Sequence, residues 1–167
     1  MRTSASPLVQ ALHTLLSELG DGGTGDACYV LNPTDPGILK SLARLSAADA
    51  SRVPPAGGAS IAAHVDHLCY GFELLNRYAA GEEEAFATAD YSRSWERTTV
   101  SDAEWQQLRD RLAAHLHTWR KAVAELDPNV QLHVTGAISS VVHLAYHLGA
   151  IRQIDRALAG PPAPKGQ

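Results

Sequence analysis

Cysteine is scarce in this chain: two residues, Cys28 and Cys69, among 167, and no paired spacing between them. That excludes a disulfide scaffold and a Cys-rich zinc site. Charge is sparse as well, at 19% of residues, with 14 Lys+Arg against 18 Asp+Glu, a formal net charge of −4 and no basic cluster. A nucleic-acid module needs a basic face, and an anionic membrane surface attracts the same residues, so neither partner is expected. No apolar run with a small-residue cleavage site opens the chain, which speaks against a secretory signal. A cytoplasmic location is the expectation.

Other chemistries are missing too. No Glu-x-x-His occurs, so the carboxylate-rich site of ferritin-like bundles is not encoded. No His-Glu-x-x-His occurs either, which removes the common zinc-protease arrangement. Gly20-Asp21-Gly22-Gly23-Thr24-Gly25 lacks the Gly-Lys-Ser/Thr ending of a phosphate loop and reads as a flexible linker. Asp, Glu, Lys and Arg are absent from residues 128–151, but Asn129, Gln131, His133, Thr135, Ser139, Ser140, His143 and His147 make that stretch too polar for a lipid span.

What is present is helical periodicity and enough apolar residues, 45%, for a full core. Leu8, Leu12, Leu15, Leu16 and Leu19 recur at helical spacing over Pro7–Leu19. Pro36 opens a short helix through Ile38, Leu39, Leu42 and Leu45. Ser60 is a candidate N-cap for a helix over 60–80, with Ile61, Val65, Leu68, Phe72, Leu75 and Ala79 on one stripe. A polar loop follows, containing Glu82-Glu83-Glu84 and Tyr91-Ser92-Arg93-Ser94-Trp95. Ser101-Asp102-Ala103-Glu104 is a capping box that starts a long helix buried through Trp105, Leu108, Leu112, Trp119, Val123 and Leu126. Thr135 is the expected cap of a last helix over 136–159, stopped by Gly160-Pro161-Pro162. That helix is apolar almost all round in its first half and is expected to be the most enclosed. No alternating segment requires a sheet. The pattern predicts an all-α four-helix bundle with an additional short helix, one domain over residues 1–160, and a Pro/Gly-rich tail over 161–167.

Eight histidines stand out. His143 and His147, at i and i+4, leave one side of the last helix about a turn apart, a spacing that lets two imidazoles share one metal ion. Their surroundings, Val141 through Leu148, contain no charge, and a buried imidazole needs a hydrogen-bond partner or a metal. A third ligand must come from another helix. On a wheel turning about 100° per residue, His64 lies about 60° from the centre of the second stripe and His67 about 120° away on the same flank. Periodicity does not choose between them. For either one, the plainer alternative is a boundary histidine bonded to backbone or water. His13, His115, His117 and His133 are weaker candidates, and Cys69 is best read as a small buried residue.

Ser60-Ile61-Ala62-Ala63-His64-Val65-Asp66-His67-Leu68, followed by Gly136-Ala137-Ile138-Ser139-Ser140-Val141-Val142-His143-Leu144-Ala145-Tyr146-His147-Leu148-Gly149-Ala150-Ile151-Arg152, resembles the DinB/YfiT-like superfamily of bacterial proteins. The likeness runs from Leu8 to Leu158. It implies a four-helix bundle with a three-histidine divalent metal site, usually nickel or zinc. By the motif, His67 supplies the first ligand and His143 and His147 the others, with His64 retained as the alternative. It also implies a small-molecule substrate, a low-molecular-weight thiol as co-substrate in an S-transferase, or hydrolysis, and a homodimer. Tyr91 stands where related chains are expected to carry Trp, a departure that bears on the pocket wall.

Three neutral imidazoles would leave a divalent ion its full charge and an open position, the pattern of a catalytic site. Each ligand's other ring nitrogen needs a partner, and Ser140, one turn before His143, is the nearest candidate in sequence. Tyr78, Trp95 and Arg152 are candidates to line the pocket. The rival reading is a non-catalytic helical protein, stress-related or dimerising, whose histidines are merely buried.

Overall fold

A computed structural model describes residues 6–24 and 28–162. Gly25 of the glycine-rich linker and residues 163–167 of the tail lie outside the described residues. Among those described there are six helices, α1 (Pro7–Asp21), α2 (Gly37–Leu42), α3 (Ala47–Ala50), α4 (Ile61–Ala79), α5 (Asp102–Ala124) and α6 (Gln131–Ile154), two short 3₁₀ turns and no strand. The all-α expectation holds, with two short helices in place of one.

The starts of the helices follow their caps. Ser6 accepts from Val9 N, and Pro7 needs no donor in the first turn of α1. Ser60 accepts from Ala63 N at 3.3 Å and opens α4. The Ser101–Glu104 capping box forms as its sequence predicts and starts α5. The long helices then form a four-membered ring in which α1 and α4 each pack against both α5 and α6. Leu16, Leu68, Leu112 and Leu144, one from each, are fully buried in a shared core. Trp119 Nε1 donates across the bundle to Ser140 Oγ at 2.8 Å, tying α5 to α6.

Three expectations change. The glycine-rich segment is not loose where it is described: Gly22 has φ 109°, and a Cβ there would collide with the Asp35 carbonyl oxygen. Gly23 N donates to that same oxygen at 2.9 Å, so the end of α1 is clamped to the approach to α2.

The last helix begins earlier and ends earlier than 136–159. Asp127 Oδ1 accepts from Asn129 N and Asn129 Nδ2, which completes the chain reversal at once. Gln131 then starts α6 behind Val130, which makes no side-chain cap, and Thr135 lies inside the helix. At the other end Asp155 is extended and caps a 3₁₀ turn, Arg156–Leu158.

Finally, α6 is not the most enclosed helix. Val142 is 61% and Tyr146 67% exposed, because a helix at the corner of a bundle has two neighbours and an open outer face. It is long enough, and over one stretch apolar enough, to match a membrane span by composition alone, yet its other face packs into the bundle. The enclosed helix is α4, where Ile61 to Val65 are all buried. The chain returning from α4 covers it: Ser60 Oγ donates to Thr98 O at 2.7 Å, Asp66 pairs with Arg97 at 3.3 Å, and Asp90 N donates to Tyr70 Oη at 2.8 Å. Those contacts lay the 3₁₀ turn Arg93–Trp95 against α4.

Candidate metal centre

Three histidines converge where α4, α6 and that turn meet. His67 Nε2 lies 3.1 Å from His143 Nε2, which lies 2.9 Å from His147 Nε2. Ligand atoms of all three fall within 4.8 Å of one another. A tetrahedral ion with bonds of about 2.0–2.1 Å holds its nitrogens about 3.3 Å apart. The triad is therefore close to the size that such an ion requires. The two rings of α6 share a side because they are one turn apart, and His67 faces them from the neighbouring helix.

Burial keeps these rings neutral. It lowers the pKa of His67 to about 4, with the nearby His143 and His64 adding to the effect. It lowers that of His147 to about 3, assisted by His143, His64 and His67. The pKa values of His143 and His64 are also lowered by burial. Neutral imidazole is the form that binds a metal.

The far nitrogen of His67 is set by a short chain of hydrogen bonds. Ser94 Oγ donates its one proton to Tyr91 O at 2.6 Å. It can then only accept from His67 Nδ1, 2.7 Å away. His67 is thereby fixed with Nδ1 protonated and a bare Nε2 directed at the triad. Behind His147, its Nδ1 lies 2.8 Å from Nδ1 of His64.

His64 therefore sits outside the triad, as a hydrogen-bond partner and not as a ligand atom. The helical wheel left His64 and His67 open; the geometry brings His67 to the pair on α6. Trp95 stacks on His67 at 4.3 Å between ring centres and meets His64 edge-on at 5.2 Å, so it does wall the site. The expected ring partner Ser140 and the expected lining residues Tyr78 and Arg152 are held elsewhere. Ser140 accepts from Trp119 and donates to Ala137 O, leaving its hydroxyl committed to packing. Tyr78 contacts Phe86 and His133, and eleven residues of helix put it roughly 16 Å along α4 from His67. Arg152 is bound to buried Asp35 at 2.6 Å.

Sequence reasoning missed Ser94 as the partner of His67. The one signal was an aromatic, Trp95, beside a serine in an otherwise polar loop. Cys69 is confirmed as a core residue: its thiol is buried against Leu108 O, and burial pushes its pKa up to about 12.

His143 is half-buried, and the exposed Tyr91 and Tyr146 flank the triad, with ring centres 6.2 Å from His67 and 5.1 Å from His147. Gly71 packs beside His143, where a Cβ would just reach van der Waals contact with its Cε1 at 3.5 Å. On the other side of Ser94 an open crevice of about 340 Å³ is bordered by Arg93, Arg97 and Arg111 and by Asp66, Asp90 and Glu96.

No curated protein and no solved structure gives a significant match to this sequence. The family model described as the DinB superfamily matches residues 37–151, a span holding α2 through nearly all of α6 and every histidine of the centre. With the histidine triad and the helical bundle that carries it, this match places the chain in the DinB superfamily.

Proposed function

We propose that the protein is a divalent-metal-dependent enzyme that activates a low-molecular-weight thiol, or water, for attack on a small electrophile. The observation that carries this reading is the donor set: three neutral Nε2 atoms at 2.9 and 3.1 Å, with no carboxylate or thiolate among them. Zinc or nickel suits such nitrogen donors. When bound, the ion supplies Lewis acidity at full positive charge, which lowers the pKa of a coordinated donor group.

The chain's own residues do the rest. His67, His143 and His147 hold the ion, and Ser94 fixes the orientation of His67. Trp95 covers one flank and keeps water from it, so electrostatic attraction in the site is stronger than in solution. Tyr91 and Tyr146 meet the apolar part of the substrate at the rim. The mixed-charge crevice beyond Ser94 suits a polar co-substrate that carries both signs of charge.

The test is metal analysis of the purified protein and of His67→Ala, His143→Ala and His147→Ala, followed by assays with a panel of electrophiles and several thiols. The expected result is about one ion per chain in the wild type, less in each variant, and turnover that stops on chelation. Metal content unchanged in all three variants would overturn the reading, as would a wild type that takes up none.

A further inference from the structure

His64 is buried, 8% exposed, and lies outside the triad, yet its Nδ1 stands 2.8 Å from Nδ1 of His147, itself 1% exposed. Where no ion stands between them, two ring nitrogens this close share one proton, donated by one ring and accepted by the other. Resting on the metal reading above, we propose that His64 is a positioning residue for the centre, accepting the Nδ1 proton of His147 and so turning the bare Nε2 of His147 toward the ion.

A ring that binds a metal through Nε2 carries its proton on Nδ1. His147 then donates to His64, whose own Nδ1 must be bare and whose proton must sit on Nε2. The partner of a metal-bound histidine is often a carboxylate; here it is a neutral ring, and the partner of His67 is a neutral hydroxyl. Neither adds negative charge, so the +2 charge of the ion is not offset from behind. His64 is itself held in place on the enclosed half of α4, with Trp95 edge-on at 5.2 Å.

The test measures zinc affinity, by competition with a chromophoric chelator, for the wild type, His64→Leu and His64→Asn. Nitrogen-resolved NMR of the zinc-loaded wild type then reads each ring's tautomer. His64→Leu should lose about ten- to a hundredfold in affinity. His64→Asn, whose Oδ1 stands near the place of Nδ1, should recover most of it. The spectrum should show His147 protonated at Nδ1 and His64 at Nε2.

Equal affinity in all three proteins, or equal loss in both variants, overturns the proposal. So does a His64 protonated at Nδ1, a result that decides the matter even if His64→Leu does not fold. A wild type that takes up no zinc removes the metal reading and this inference together, whereas zinc uptake indifferent to residue 64 removes only this one.

Discussion

Lowering the pH from 7.5 to 5 in the presence of a chelator should destabilise the metal-free protein, and the effect can be worked out for two of its rings. His67 and His147 titrate near 6.5 when unfolded but at about 4 and about 3 in the fold. Between those values the unfolded chain binds protons that the folded chain refuses, so stability falls as the pH falls. At pH 5, 1.5 below the unfolded value, each ring costs about 2 kcal/mol, at 1.36 kcal/mol per pH unit. The two together reach about 4 kcal/mol, a large share of the ~5–15 kcal/mol that holds a typical domain together. His64 and His143, also lowered, act in the same direction. Most Asp and Glu groups titrate below this window, so carboxylates contribute little to it. Urea midpoints at half-unit intervals of pH measure the slope, and a His67→Asn/His147→Asn double variant should be markedly flatter. Stability that is unchanged or rising from pH 7.5 to 5 would refute the claim that these rings are buried and neutral.

Saturating zinc should raise the melting temperature by mass action: at a free concentration a hundred times Kd the gain is about 2.7 kcal/mol, or roughly 5–11 °C for a chain of this size. No shift in a thermal scan with and without chelator would count against a site formed in the fold. Phe72, 2% exposed on α4, should cost about 3–5 kcal/mol when changed to Ala. Val142→Asp, on the open face of α6, should change stability by no more than about 0.5 kcal/mol. Urea unfolding of the two variants checks both, and a large loss at Val142 would show that this face is covered.

The parts of the fold that were legible in the sequence are those written in local chemistry. Ser60 and the Ser101–Glu104 box each announce a helix start because their side chains satisfy free backbone donors within three residues. Val130 offers no such group, so the sequence points instead to Thr135, which lies inside α6. Apolar composition marked α6 as a core helix, but composition does not say how many neighbours a helix will have, and Val142 and Tyr146 face outward.

At the centre, the i, i+4 spacing of His143 and His147 was readable, and the motif resemblance pointed to His67. The wheel alone could not separate His67 from His64, because both lie on one flank of α4. Proximity along the helix suggested Ser140 as the outer partner, yet the Trp119 indole had already claimed that hydroxyl. The partner of His67 is Ser94, 27 residues away in a segment with no periodicity, where only the folded path of the chain reveals the contact.

X-ray absorption spectroscopy of the zinc-loaded protein tests the central claim most directly, because it counts the atoms around the ion. Three imidazole nitrogens at about 2.0–2.1 Å and no sulfur at about 2.3 Å are predicted. Fewer than three imidazoles, or any sulfur scatterer from the protein, would contradict a centre built from His67, His143 and His147.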